Sequence, residues 1–140
     1  MLGPVSALDP PALLGRWRLE RTMLDRSTGQ RGAATGTLSL TPGGDGIAWA
    51  ERGTLDWQGC TYAFTRDYRL VRDADGWWMR FADGRPFHPW TPGEWVTHPC
   101  GADRYRGLVT SDGDTWTIQW DVRGPAKSQL IVTALQLAHE

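Results

Sequence analysis

Lysine is almost missing from this chain: every basic residue but Lys127 is an arginine. Neither sign of charge prevails, with Lys+Arg 15 against Asp+Glu 16 and a formal net charge of −1. So balanced a chain has no global field to hold a polyanion or an anionic bilayer surface, which argues against nucleic-acid binding. Cysteine is scarce, at Cys60 and Cys100 only. No stretch approaches the roughly 18 uninterrupted apolar residues of a membrane-crossing helix. The opening MLGPVSALDPPALLG has neither the basic leader nor the long apolar core of a secretory signal. A cytoplasmic protein with reduced thiols and no membrane insertion is expected. Repeats, low-complexity tracts and linkers are absent as well, so the reading is one domain over residues 1–140. Nothing in the sequence speaks to oligomeric state.

What the chain does have is nine tryptophans, side chains that bury much area at little conformational cost and suit flat-walled cavities as well as cores. It also has a steady period of two. After LDPPALLG, where Asp9 and two prolines predict a short helix stopped at Gly15, nine β-type runs follow at 16–24, 34–42, 46–53, 60–71, 76–82, 94–100, 103–110, 115–123 and 128–138. Asp-Gly and Gly-Gly pairs in PGGDG, DADG and SDGD supply the positive φ of tight hairpins. Regular short strands predict an all-β, single antiparallel up-and-down barrel of 8–10 strands, with closure removing the exposed edges.

A short helix, the triplet Gly15-Arg16-Trp17 at the entry to the first strand and an antiparallel meander resemble the calycin architecture of lipocalins and fatty-acid-binding proteins. FADGRPFH, HPCGADRYRG, WDVRGPAK and WAERG further resemble an uncharacterised family of calycin-like domains. The resemblance implies that Trp17 plugs one barrel end beneath a cation, Arg123 or Lys127. It implies no activity, so function rests on the site.

Strand parity singles out charges in apolar company. Arg21 shares a face with Trp17, Leu19 and Met23; Glu51 with Ile47 and Trp49; Arg66 with Tyr62, Phe64, Tyr68 and Leu70. A buried unpaired charge is costly, so these three either pair with one another or await a ligand. In the second case Arg21 and Arg66, with Tyr68, hold an anionic head while Glu51 offsets one charge in the empty site. Fatty-acid-binding proteins use an Arg and Tyr pair in a similar way.

The stretch PFHPWTPGEWVTHPCGADRYRG, residues 86–107, concentrates His88, His98, Cys100, Asp103 and Tyr105. His88, His98, Cys100 and Cys60 have the right ligand types for zinc, yet the close ligand pairs of structural zinc sites are missing. Haem ligation through His88 or His98 is a variant of the same idea. No cofactor motif is present, and none is expected. His98 with Asp103 or Glu51 forms an acid–base set for isomerisation, dehydration or decarboxylation. The plainest alternative treats these residues as cavity wall and rim.

The favoured expectation is a binder of a small apolar or aromatic molecule, with an anionic group, in a Trp/Tyr-lined cavity. Arg21 and Arg66 hold the head; Tyr68, His88, His98 and Tyr105 hydrogen-bond; Trp49, Trp78 and Trp95 form walls. A cofactor-independent enzyme using His98, Asp103 and Glu51 is the alternative. A protein-interaction module presenting Trp90 and Trp95 is the third reading.

Overall fold

The computed structural model describes residues 8–138. A single 3-10 turn, Pro10–Leu13, leads into ten strands. Asp9 caps it through its carbonyl, which accepts the Ala12 N–H at 2.8 Å, and not through its side chain as expected. The strands are β1 (Gly15–Asp25), β2 (Arg31–Gly43), β3 (Gly46–Trp57), β4 (Cys60–Asp73), β5 (Gly76–Phe81), β6 (Pro86–Pro89), β7 (Val96–Cys100), β8 (Asp103–Asp112), β9 (Thr115–Gly124) and β10 (Lys127–Leu137). All neighbours are antiparallel, in the order β6-β5-β4-β3-β2-β1-β10-β9-β8-β7. The meander thus curls until β1 pairs with β10, Trp17 facing Leu137 and Asp25 facing Gln129.

Turn chemistry explains the register. Trp57 pairs with Cys60, which leaves a two-residue loop whose residues, Gln58 and Gly59, both take positive φ (54° and 79°). That is the type I′ geometry whose twist matches a hairpin.

The ladder runs round the barrel but does not close it. Strands β6 and β7 are edges with no hydrogen-bonded pairing between them, whereas full closure was expected. Proline accounts for the break: Pro86, Pro89 and Pro99 lack the N–H that a second partner needs, which confines them to edges. The same prolines conceal β6 from a periodicity reading.

One end of the barrel is capped by packed apolar side chains. Leu8 and Leu13 of the lead-in are buried there beside a knot of edge-to-face indoles. Trp116 lies 5.6 Å from Trp17, 6.0 Å from Trp49 and 6.2 Å from Trp90 between ring centres. Main-chain carbonyls satisfy two of these indoles, Leu13 accepting from Trp17 at 2.8 Å and Leu8 from Trp90 at 2.9 Å. Trp17 therefore does close a barrel end, but no cation covers it among the described residues. Lys127 opens β10 whereas Trp17 pairs with the last residue of that strand, so ten residues at about 3.3 Å each separate them. Lys127 instead sits over Tyr105, 5.7 Å from its ring centre, and Arg123 pairs with Asp121 at 3.2 Å.

Candidate functional site

Toward the other end, the inward faces of the strands leave a cavity of about 270 Å³. Its floor is Trp49 and Trp90 from the indole knot, and its walls include Tyr68, Phe81, Phe87 and Trp120. Phe87 stacks on Trp120 at 5.3 Å with only 6° between planes, and on Phe81 at 4.6 Å. Such offset and stacked rings interact beyond their buried area. His98 and Tyr105, opposite one another across β7 and β8, complete the wall with ring centres 6.4 Å apart.

Three charged side chains reach this cavity: Arg21, Glu51 and Arg66. Arg21 and Glu51 are 8 % and 3 % exposed, and their 3.0 Å contact is a buried ion pair. Each partner makes one further hydrogen bond. Arg21 Nε donates to Thr133 Oγ1 at 2.7 Å, and Trp49 Nε1 donates to Glu51 Oε2 at 3.0 Å. A buried pair holds only when its leftover donors and acceptors are satisfied in this way. Arg66 lies directly across the β3–β4 ladder from Glu51, yet it is exposed and has no carboxylate partner among the described residues.

His88 is only 4 % exposed and faces inward opposite Met79. Its Nδ1 lies 2.7 Å from the Pro89 carbonyl. A carbonyl only accepts, so Nδ1 carries the proton and Nε2 presents a lone pair. Burial lowers the imidazole pKa from 6.5 to about 4; the Pro89 carbonyl opposes this, and His98 adds a smaller lowering. His88 is accordingly neutral near pH 7.

A model of a family of unknown function, DUF6314, matches residues 13–136. The chain belongs to this family. The DUF6314 match extends from the end of the 3-10 turn into β10 and so includes every other strand whole. No curated protein matches the chain. Among solved structures, a Schistosoma mansoni fatty acid binding protein in complex with arachidonic acid is similar. It shares 13 % identity over 98 % of this chain and 100 % of that one, with a TM-score of 0.39.

In this DUF6314 chain Arg21, Trp49, Glu51, Arg66, Tyr68, His88, His98 and Tyr105 share one cavity. Three other expected site residues do not join them. Trp78 lies between inward-facing Trp77 and Met79, so strand alternation turns it outward. Trp95 precedes β7, is 42 % exposed and carries the Arg106 guanidinium over its ring at 4.6 Å. Asp103 stands at the β7–β8 turn, where Lys127 Nζ approaches its carboxylate at 3.7 Å. The His98–Asp103 acid–base pair is therefore not assembled, and Glu51 is committed to Arg21 and Trp49. Nor do the four zinc-type ligands converge, because Cys60 begins β4 at the far hairpin, away from His88, His98 and Cys100. Trp90, expected on an interaction surface, is buried at 6 %.

Phe81, Phe87, Trp120 and Thr133 also line the cavity and were not among the expected site residues. Thr133 was within reach of the parity argument: it sits between Ile131 and Leu135 on one face of β10, a hydroxyl in apolar company. Phe87 had no such signal, because β6 was not recognised as a strand.

Proposed function

We propose that this DUF6314 protein non-covalently binds a compact apolar or aromatic molecule carrying an anionic group. One observation carries the reading: Arg66 borders an aromatic-walled cavity as its single cation without a carboxylate partner among the described residues. A guanidinium fork matches a carboxylate or similar planar anion. The Arg21–Glu51 pair supports this division of labour, since Arg21 is already neutralised and Arg66 is left for the ligand. Tyr68, Tyr105 and His98 are the hydrogen-bonding partners of this reading, and Trp49, Phe81, Phe87 and Trp120 its walls.

Cavity size sets the scale of the guest. An apolar cavity of about 150 Å³ takes up benzene, so 270 Å³ suits one or two rings better than a long extended chain. Binding is preferred to turnover because no carboxylate hydrogen-bonds His98 among the described residues and Glu51 is held in its ion pair. A cytoplasmic setting fits the two free, exposed thiols Cys60 and Cys100. No helix among the described residues is long and apolar enough to cross a membrane.

The test is calorimetric titration with 2-naphthoate and its uncharged counterpart 2-naphthylmethanol, alongside native mass spectrometry of the freshly purified protein. The reading expects saturable 1:1 binding of the carboxylate, at least about tenfold tighter than the alcohol, as one charge-assisted hydrogen bond provides. Absence of binding by both compounds, with no organic mass co-purifying, would sink it.

A further inference from the structure

His88 Nε2 is an acceptor without a donor. The ring is inward-facing and nearly inaccessible from outside, and its Nδ1–H is spent on the Pro89 carbonyl. No side chain or backbone N–H bonds Nε2 among the described residues, and the imidazole's close neighbours are the rings of Phe87 and Trp120, at 4.7 and 5.3 Å. Both rings meet it edge to face and offer it no hydrogen bond. The Trp120 indole N–H makes none with it. His98 lines the same cavity without hydrogen-bonding His88. Nε2 remains accessible from the cavity that His88 lines, since the one buried side-chain nitrogen without a partner among the described residues is Trp116 Nε1, and a guest that covered it without offering a donor would leave it bare at a cost. Protonation does not relieve the cost, because burial keeps this imidazole neutral at physiological pH.

We propose that His88 Nε2 recognises a hydroxyl or N–H on the ligand, so that the natural guest is an aromatic acid bearing a hydrogen-bond donor at the end opposite its anion. This rests on the binding reading above and adds the second polar group of the ligand. Strand geometry supplies the spacing. Leu70 faces Met79, and Met79 faces His88, so His88 lies two strand spacings, roughly 10 Å, across from Leu70. Arg66 lies four residues back along the same face of β4, roughly 13 Å at the rise of a strand. Both residues line the cavity. The two polar groups therefore approach an elongated guest from opposite ends, and the rings of Phe81, Phe87 and Trp120 cover its flat middle. A site that hydrogen-bonds a ligand donor discriminates against the analogue without it.

The experiment compares 2-naphthoate, 6-hydroxy-2-naphthoate and 6-methoxy-2-naphthoate on the wild-type protein by calorimetry, and then on His88→Leu. The hydroxy compound should bind wild type about tenfold tighter than the parent, and the methoxy compound, which cannot donate, should show no gain. His88→Leu should reduce the hydroxyl preference to less than about twofold. The wild-type comparison needs no variant, so misfolding of His88→Leu leaves the test intact. Equal affinity of wild type for all three naphthoates overturns the role of His88 and leaves anion binding standing. Failure of every naphthoate to bind overturns both. A Soret band on titration with haemin that vanishes in His88→Leu would also overturn it, by making Nε2 an iron ligand.

Discussion

Trp49 hydrogen-bonds Glu51, two residues further along the same strand, through its indole N–H at 3.0 Å. Adjacent inward positions on one strand thus join the indole knot at the closed end to the ion pair in the cavity. Glu51→Leu should destabilise the fold by about 3–5 kcal/mol, because it leaves Arg21 charged, buried and unpaired. The double variant Arg21→Met, Glu51→Leu should recover most of that loss, since apolar replacement of a buried pair is often neutral. Urea denaturation of the three proteins measures both quantities. A double variant no more stable than the single one would show that the pair's value lies in something other than mutual neutralisation.

Arg66→Ala should weaken 2-naphthoate binding by about 1.5–3 kcal/mol, the range for a hydrogen bond to a charged group. The urea midpoint should barely move, because Arg66 is exposed and lacks an ion-pair partner among the described residues. Unchanged affinity in a folded variant would remove Arg66 from the site.

His88 links stability to pH. Its pKa falls from 6.5 to about 4 on folding, chiefly through burial. Between those values the unfolded chain binds a proton that the folded chain refuses, so stability declines as pH falls through this window. At about 1.36 kcal/mol per pKa unit the loss is roughly 3 kcal/mol. Well below pH 4 both states are protonated and the decline from this group stops. Chemical denaturation of wild type and His88→Leu at pH 7 and pH 4 isolates the effect: the wild-type advantage should shrink by about 3 kcal/mol. A difference independent of pH would mean that the folded imidazole protonates as easily as a free one.

Gly107 makes room for a cavity wall. A Cβ there would stand 2.8 Å from the Trp120 ring, which faces it across the β8–β9 ladder. Trp120 is itself stacked on Phe87 and cannot retreat without moving that ring. Gly107→Ala should therefore cost about 1–3 kcal/mol of stability as overpacking and weaken naphthoate binding. Calorimetry and urea titration on one preparation would report both. Full affinity would indicate that the indole can shift freely.

Much of this barrel was legible because two physical rules act locally. Side chains alternate faces along a strand, which was enough to locate Arg21 and Glu51 inside and Arg66 beside them. Gly-containing pairs mark hairpins, which separated nine of the ten strands. Strand β6 escaped because PFHP has two prolines in four residues and shows no alternation. Its loss hid Phe87 and made His88 look like a rim residue, when it is among the most deeply buried polar groups. Trp78 and Trp95 were misjudged for another reason: residue type was weighed without parity. Trp78 neighbours Met79, so one of the two must face outward. Asp103 has the parity of Tyr105 but lies at the turn, where the nearby Lys127 draws its carboxylate, and no local pattern reveals that tertiary partner.

The unpaired seam between β6 and β7 has a mechanical meaning. Everywhere else the wall is stitched by a ladder whose bonds must break together before the strands can separate. Across the seam the connection is made by rings, with Phe87 of β6 meeting His98 of β7 edge to face at 4.9 Å and Phe81 of β5 reaching the same imidazole at 5.9 Å. Each such contact is worth about 0.5–1.5 kcal/mol and can be surrendered singly. The residues that line the cavity here are thus also the ones that zip the wall shut. Parting the seam surrenders these contacts one at a time and leaves the hydrogen-bonded ladders of the barrel intact.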